Sequence, residues 1–245
     1  MSESFSYKAL FDLSGKTAVI TGASGILGRH FSTGLAEAGA ALALLDIRSE
    51  GVQELAADLS AKYGVKTQGF VCDVSDPVSV KQAVAAVVSA FGRIDIFFNN
   101  AGIEGVVKTV PDYPLDEFQK VMSVNVIGVF LGMKHVIPVM EAQGGGAIVN
   151  VASTSGIRWT GAPQVGYAAA KAGVIALTRA IADETKGTNI TANTVLPSVI
   201  DTPSNRQAMG VENADQWVKP ESLAEVICFL ASEAARDIRG ATIPV

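Results

Sequence analysis

Short apolar runs and longer amphipathic segments alternate along most of the chain. The runs are five to seven residues long and are mostly β-branched or aliphatic, which is typical of buried strands. The first of them, TAVIT at 17–21, is apolar and β-branched, which indicates a strand covered on both faces, as in a parallel sheet. The predicted strands lie at residues 17–21, 41–45, 67–72, 94–98, 147–151, 190–196 and 241–245.

The segments between these runs have the spacing of apolar residues that predicts helices. A helical pattern follows the first strand to about Gly39, and Ser75 or Asp76 is positioned to cap the third predicted helix ahead of Pro77. The later predicted helices lie at residues 52–63, 78–91, 115–142, 167–186 and 223–231.

Strands and helices that alternate in this way predict an α/β fold. We expect a doubly wound, Rossmann-type, mostly parallel seven-stranded sheet with helices on both faces. A single domain is predicted over residues 14–245, and residues 1–13 are interpreted as an N-terminal extension.

Composition narrows the possible partners. Of the 245 residues, 49% are hydrophobic and only 18% are charged, so the chain can bury a large core. The net charge of −5 argues against nucleic acid and anionic membranes as partners. The longest apolar candidate for a membrane span, Val121–Met133, is stopped by Lys134, and residues 1–13 lack the pattern of a signal peptide. A cytoplasmic protein with no membrane partner is expected.

Metal and disulfide chemistry are not expected. His30 and His135 are the only histidines, which makes a zinc site improbable. Cys72 and Cys228 lie in separate apolar runs and outside any CxxC pair, so we interpret them as reduced, buried thiols.

A glycine-rich turn follows the first predicted strand. Gly22, Gly25 and Gly28 lie between that strand and a helix, which is the context of a dinucleotide-binding turn. Glycine lets the backbone approach a pyrophosphate, and the helix N-terminus carries the partial positive charge that holds it. A tight turn without a ligand remains the alternative.

Asp46 ends the second predicted strand, 24 positions after Gly22. A carboxylate there can accept hydrogen bonds from the adenosine ribose hydroxyls and repels a 2′-phosphate, so NAD is favoured over NADP. Arg48 could offset that repulsion, and a capping role for Asp46 is the alternative. Asp73 and Asn100 also follow predicted strands, where the ligand crevice of such a fold lies.

Tyr167 and Lys171 are four residues apart, which places both side chains on one face of a helix. We expect the lysine ammonium to lower the phenol pKa from its usual value of about 10. The pair could then move a proton to or from a substrate oxygen, although a surface pair without a role is the alternative. Small residues along this helix would allow close packing against another helix, including one from a second subunit.

Asn125 is a polar residue inside an otherwise apolar helical run. Its amide needs hydrogen-bond partners if the run is buried. Bonding to local backbone alone is the simpler alternative.

Taken together, these pieces resemble the single-domain short-chain dehydrogenase/reductase family. The motifs that carry the resemblance are TGASGILG at 21–28, Asp46, CDV at 72–74, NNAG at 99–102, Asn125, VASTSG at 151–156, YAAAK at 167–171 and PSVIDTP at 197–203.

The resemblance implies an oxidoreductase that transfers hydride between NAD and a secondary alcohol or ketone. It implies Tyr167 as the acid/base, Lys171 as the group that lowers the phenol pKa and binds the nicotinamide ribose, and Ser153 as the donor to the substrate oxygen. Asn125 would hold the long helix open and help position a relaying water. The implied cofactor-binding residues are Gly22, Ser24, Gly25, Ile26, Leu27, Gly28, Asp46, Asp73, Val74, Asn100, Ala101, Gly102, Tyr167, Lys171, Pro197, Ile200 and Thr202.

The chain departs from the family pattern at the glycine turn. Ile26 occupies the usual middle glycine position, and the spacing of Gly22, Gly25 and Gly28 looks more like the extended branch of the family. A second hypothesis for the function is therefore an isomerase or lyase that retains NAD. A third is a non-catalytic NAD-binding relative.

Ser153 lies 14 residues before Tyr167, one more than is common in the family, and Thr154 and Ser155 are neighbouring hydroxyls. We favour Ser153 because it keeps the usual distance from Asn150.

The substrate pocket is predicted from the loops near this site. Its candidate lining residues are Gly105–Val107, Ile157–Trp159, Met209 and Trp217. This lining favours a mid-sized, largely apolar alcohol or ketone. A homo-oligomer, either tetramer or dimer, is also expected.

Overall fold

The computed structural model describes residues 8–158, 161 and 163–245. Trp159, one of the residues predicted to line the substrate pocket, lies outside the described residues, as do residues 1–7 of the predicted extension. The strands are β1 Thr17–Thr21, β2 Ala41–Asp46, β3 Thr67–Val71, β4 Ile96–Asn99, β5 Gly146–Val151, β6 Ile190–Leu196 and β7 Thr242–Pro244. The helices are α1 Ile26–Glu37, α2 Ser49–Tyr63, α3 Pro77–Phe91, α4 Leu115–Met122, α5 Gly128–Gln143, α6 Val165–Glu184, α7 Pro203–Met209 and α8 Pro220–Ala231.

The seven strands form one sheet in the order β3-β2-β1-β4-β5-β6-β7, and every neighbouring pair is parallel. The predicted doubly wound fold is therefore confirmed. The chain reverses its direction of travel across the sheet between β1 and β4, and a crevice opens at the carboxyl ends of the strands at such a point.

The side chains of the central strands alternate between two apolar layers. In β1, Ala18 and Ile20 pack with α1, α2 and α8, which form the first layer. Val19 points to the opposite face and packs with α3, α5 and α6, which form the second layer. Because helices cover both faces, β1, β4 and β6 are buried along their whole length, whereas the edge strands β3 and β7 are partly exposed.

Local chemistry sets the helix ends. Asp76 caps α3 by accepting a hydrogen bond of 3.0 Å from the Val78 N–H, and Pro77 follows at the first helical position. Gly144 ends α5 in the left-handed conformation, at φ 93°. The β4 strand begins at Ile96 instead of the predicted residue 94, because the Ile94 N–H bonds to the Gln143 side chain.

The predicted long helix over residues 115–142 is continuous but not uniform. A π-helical segment, Ser123–Ile127, separates α4 from α5 and is called here the π turn. Such insertions widen a helix locally and are frequent at functional sites. The short helix α7 was not predicted.

Two helical stretches, Leu115–Gln143 and Val165–Glu184, are long and apolar enough to cross a membrane by length and composition alone. This is weak support for a span, since the core helices of soluble proteins pass the same test. Their buried side chains, among them Val136, Met140 and Val174, pack in the second layer of the core.

Candidate active site

The turn after β1 is locked to the end of β4. Gly22 has φ 64°, and a Cβ at this position would lie 2.8 Å from the Ala101 Cα. The Thr21 hydroxyl accepts hydrogen bonds of 3.1 Å from the N–H groups of Asn100 and Ala101. The Asn100 amide donates at 3.1 Å to the carbonyl oxygens of Thr21 and Gly22. Only glycine fits at position 22, since a side chain there would collide with backbone.

The rest of the glycine turn leads into α1. A Cβ at Gly28 would lie 2.6 Å from the Ala23 carbonyl oxygen, so this glycine is also required. Gly25 is the N-cap residue of α1, and none of the described side chains caps this helix. Ile26 fits at the middle position because its side chain is exposed. Leu27 packs against the first layer of the core.

Asp46 lies beside this turn as a buried carboxylate. It accepts hydrogen bonds from the Ser24 N–H at 2.9 Å and from the Arg48 N–H at 3.0 Å. Burial opposes ionisation of Asp46, but hydrogen bonds from Ser24 and Arg48 outweigh it and hold the carboxyl pKa below its usual value. The Ser24 hydroxyl is buried near this carboxylate, where it lowers the Asp46 pKa, but it forms no hydrogen bond of regular geometry with the described residues.

These features fit a dinucleotide. Gly22 and Gly28 let the turn pack tightly against backbone, and the uncapped first turn of α1 presents N–H groups suited to an anion. Asp46 and the buried Ser24 hydroxyl offer hydrogen-bonding groups of the kind that ribose hydroxyls require.

Asp73 and Val74 have structural contacts of their own. The Asp73 carboxylate accepts hydrogen bonds from the Ser75 N–H at 2.9 Å and from its hydroxyl at 2.6 Å, which shapes the approach to α3. Val74 packs against α5, where a Cβ at Gly128 would lie 3.0 Å from its methyl group. These contacts fix the segment that leaves the carboxyl end of β3, and a role of either residue in cofactor binding stays a prediction.

Tyr167 and Lys171 come together with Ser153 at the carboxyl edge of the sheet. The Lys171 Nζ lies 5.4 Å from the centre of the Tyr167 ring and donates a 2.8 Å hydrogen bond to the Val151 carbonyl oxygen. The Lys171 side chain is buried, and burial lowers its pKa to about 8.

The predicted fall in the Tyr167 pKa is wrong for this structure. Burial raises the pKa of Tyr167 to about 12, the Ser153 hydroxyl opposes the rise, and the Glu104 carboxylate adds to it. The prediction considered the lysine charge alone. Because both groups are removed from water, the loss of solvation dominates.

Ser153 opposes the rise in the Tyr167 pKa, and its hydroxyl donates a 3.3 Å hydrogen bond to the Ser155 hydroxyl oxygen. Its neighbour Thr154 is buried and begins a single 3₁₀ turn, Thr154–Gly156, whose first N–H bonds to the Pro197 carbonyl oxygen at 3.1 Å. The Ser153 oxygen accepts a 3.2 Å hydrogen bond from the Ser155 N–H. A Cβ at Gly156 would lie 2.8 Å from the Ala172 backbone nitrogen, so this turn packs directly against the backbone of α6.

Asn125 lies in the π turn and uses its whole amide on one residue. Its oxygen accepts from the Ile103 N–H and its nitrogen donates to the Ile103 carbonyl oxygen, both at 2.8 Å. The prediction that this amide needs partners is confirmed, and the partner is a distant loop. A Cβ at Gly102, in the same loop, would lie 3.2 Å from the Asn125 oxygen and 3.5 Å from the Lys171 Nζ.

The segment after β6 closes one side of the crevice. Pro197 bonds to Thr154 as described, and Ile200 pairs with Val218 in an isolated bridge. The Thr202 hydroxyl accepts a 3.2 Å hydrogen bond from the Asn205 N–H and caps α7. Asp201 binds Arg206 on that helix through two hydrogen bonds of 2.5 and 2.8 Å.

The described residues of the predicted substrate pocket are mostly exposed. Val107, Ile157 and Met209 are apolar and solvent-facing, whereas Trp217 is partly buried. Sequence reasoning missed Glu104 and its partner Gln164, which lie beside Tyr167. The only signal in the sequence was a charged residue directly after the NNAGI segment that begins with the last residue of β4.

Other reactive groups lie away from this site. Burial raises the pKa of both Cys72 and Cys228 to about 11, so neither thiol is an activated nucleophile. Within residues 8–158, 161 and 163–245, no group of three or more His, Cys, Asp or Glu side chains is arranged to hold a metal ion.

Comparison with known proteins gives one consistent picture. A family model described as short chain dehydrogenase matches residues 16–212. Levodione reductase of Leifsonia aquatica is 39% identical over 248 residues, which cover 94% of this chain and 92% of that protein. NAD+-bound xylitol dehydrogenase has a TM-score of 0.90 at 30% identity, covering 95% of this chain and 98% of that one. NADPH-dependent 3-quinuclidinone reductase from Rhodotorula rubra also has a TM-score of 0.90 at 30% identity, covering 100% and 96%.

Proposed function

The chain belongs to the short chain dehydrogenase family, and we propose that it interconverts a secondary alcohol and its ketone with Tyr167 as the acid/base. The observation that carries the proposal is the convergence of Ser153, Tyr167 and Lys171 beside a glycine turn suited to a dinucleotide. The isomerase or lyase reading loses its support because the similar proteins reported above are dehydrogenases and reductases.

The nicotinamide cofactor, when bound, supplies or accepts the hydride. The residues that would hold it are the backbone of Gly22 to Gly28, Asp46 and the Ser24 hydroxyl. Asn100, Ala101 and Gly102 would border it at the end of β4, and Pro197, Ile200 and Thr202 would do so after β6.

The protein's own residues control the proton. With a pKa of about 12, the Tyr167 phenol carries its proton near neutral pH and can donate it to a ketone oxygen. The Ser153 hydroxyl can donate a hydrogen bond to the same oxygen and stabilise the negative charge that develops there. In the oxidative direction the phenol oxygen must first lose its proton, and a protonated Lys171 close to the ring favours that loss.

The test is a Tyr167→Phe variant assayed by NADH absorbance over a panel of secondary alcohols and ketones. Loss of the phenolic hydroxyl removes the proton donor, so turnover should fall by about 10²–10⁴-fold. Cofactor binding, measured by fluorescence titration, should stay close to that of the wild type. Tyr63→Phe is the matched control, because this hydroxyl lies at the end of α2, away from the crevice. Near wild-type turnover by Tyr167→Phe would refute the mechanism.

We also propose that NAD is preferred over NADP. A buried Asp46 that stays ionised would repel a 2′-phosphate, and the neighbouring Arg48 is largely exposed. Asp46→Ala should therefore reduce the ratio of kcat/KM for NAD to that for NADP. Asp58→Ala, which removes an exposed carboxylate from α2, should leave that ratio unchanged. A ratio that stays constant in Asp46→Ala would exclude this role.

An oligomer is proposed from the outer faces of α5 and α6. Ala169, Ala172 and Ala176 are small, exposed residues along α6. Ile127 at the end of the π turn and Phe130 on α5 are exposed apolar residues. Such a face is suited to close packing against a second copy in a dimer or tetramer. Light scattering coupled to gel filtration would measure the mass directly.

We further propose a cytoplasmic protein without nucleic-acid or membrane partners, which the acidic composition supports.

A further inference from the structure

The segment that follows β4, residues 100–108, is fastened to the start of α6. The Lys108 N–H donates a 2.9 Å hydrogen bond to the Pro163 carbonyl oxygen, and Lys108 pairs with Gln164 in an isolated parallel bridge. The Gln164 side-chain nitrogen donates to the Glu104 carboxylate at 2.5 Å. Gln164 is the N-cap residue of α6, three positions before Tyr167.

Tyr113 packs between the segment 100–108 and the start of α6. Its hydroxyl oxygen is buried and has no hydrogen-bond partner among the described residues. A Cβ would lie 2.7 Å from this oxygen at Gly166 and 2.8 Å from it at Gly105. The segment after β4 and the first turn of α6 are thus packed on one phenol, which limits how far Glu104 can move from Tyr167.

The polar and charged groups that act on Tyr167 come from three elements. Lys171 approaches the ring from α6, the Ser153 hydroxyl from the segment after β5, and the Glu104 carboxylate from the segment after β4. Among the described residues, Glu104 is the carboxylate whose charge raises the Tyr167 pKa, so it disfavours the phenolate. Its side chain is solvent-facing, so it is also available to an incoming substrate.

We propose that Glu104, held by Gln164 beside Tyr167, determines substrate specificity by selecting neutral alcohols and ketones against anionic ones. This inference rests on the proposed function. A substrate must bring its reacting oxygen to Tyr167 and Ser153, and its substituents then face the Glu104 carboxylate. A carboxylate on the substrate is repelled there, which is a built-in discrimination against keto acids and hydroxy acids.

The test compares cyclohexanone with 3-oxocyclohexane-1-carboxylate, which share a ring and differ in charge. In Glu104→Gln, which keeps the shape of the side chain, the ratio of kcat/KM for the neutral to the anionic ketone should fall about threefold to tenfold. The effect should shrink as salt is raised from 0.01 to 1 M, because salt screens exposed charges over these distances.

The pH profile of alcohol oxidation gives a second readout that a purely structural role would not move. Removing the negative charge favours the phenolate, so the midpoint of the profile should move to lower pH by roughly half a unit. Asp112→Asn is the matched control, since it removes a nearby exposed carboxylate that bonds to Thr109, and it should change neither readout. Glu104→Asp keeps the charge and should keep the substrate ratio close to that of the wild type.

The outcomes separate this inference from the proposed function. If the wild type turns over no compound of the alcohol and ketone panel, these two ketones included, the proposed function fails and the role of Glu104 fails with it. If the wild type turns over cyclohexanone in a Tyr167-dependent way and Glu104→Gln leaves the ratio and the profile unchanged, only the role of Glu104 is overturned.

Discussion

We compare the free energy of unfolding of Lys171→Met with that of the wild type. The difference between them should favour the variant more at neutral pH than at alkaline pH. The Lys171 Nζ is buried and bonds to one backbone carbonyl group. Burial lowers its pKa from 10.5 to about 8, which means that the folded state disfavours the ammonium. Methionine has a similar length and no proton to bind, so it removes this penalty.

The size of the effect follows from the two pKa values. A pKa of about 8 in the folded chain against 10.5 in the unfolded chain corresponds to about 3 kcal/mol. Between these values the unfolded wild type binds more protons than the folded wild type, so the wild type gains stability as the pH rises. The free energy of unfolding of Lys171→Met minus that of the wild type should therefore fall by about 2 kcal/mol between pH 7 and pH 10. The lost hydrogen bond to Val151 adds an offset that does not depend on pH.

Urea unfolding followed by circular dichroism at pH 7, 8, 9 and 10 measures this difference. Other titrating groups are shared by both proteins and cancel. Lys186→Met is the matched control, because the Lys186 side chain is exposed after the end of α6 and its ammonium is solvated whether or not the chain is folded. A difference for Lys171→Met that stays flat, or grows with pH, would refute the reasoning.

Two further substitutions test the packing around the site. Gly156→Ala should lower both stability and kcat, because its Cβ would press on the Lys171 and Ala172 backbone and move the Ser153 turn. Gly173→Ala on the same helix, where a Cβ meets only side-chain atoms of Val126 at 3.4 Å or more, should instead stabilise by about 0.5–1 kcal/mol. Thermal unfolding and steady-state kinetics distinguish them, and equal effects of the two would contradict the packing argument. Asn125→Ala should cost about 1–3 kcal/mol by leaving both polar groups of Ile103 unpaired. An unchanged melting temperature would show that water replaces the amide.

Periodicity alone predicts most of the fold. The predicted strand Ile190–Leu196 matches β6 at both ends. All seven of its positions are buried, including the polar residues Thr191, Asn193 and Thr194. The prediction fails where structure depends on distant partners. The Ile94 N–H bonds to Gln143 instead of to a strand, and α7 depends on the Thr202 cap and the Asp201–Arg206 pair more than on any apolar pattern.

Some features of the candidate site could likewise be predicted from the sequence, and others could not. Tyr167, Lys171 and Ser153 could be predicted because their spacing reflects one helix and one strand end. The direction of the Tyr167 pKa could not, since it depends on how much water the folded chain removes from the phenol. Glu104 and Gln164 are 60 residues apart, and only the folded chain reveals that they meet.

The alternation of β1 side chains between two layers has a consequence for mutational coupling. Ala18 and Ile20 share neighbours with α8, whereas Val19 shares neighbours with α5, and the sheet separates the two sets. Volume changes at Ile20 and Leu223 should therefore be strongly epistatic. Changes at Val19 and Leu223 should combine almost additively, although positions 19 and 20 are adjacent in the chain. Compensating pairs for engineering this protein are best sought within one face of the sheet.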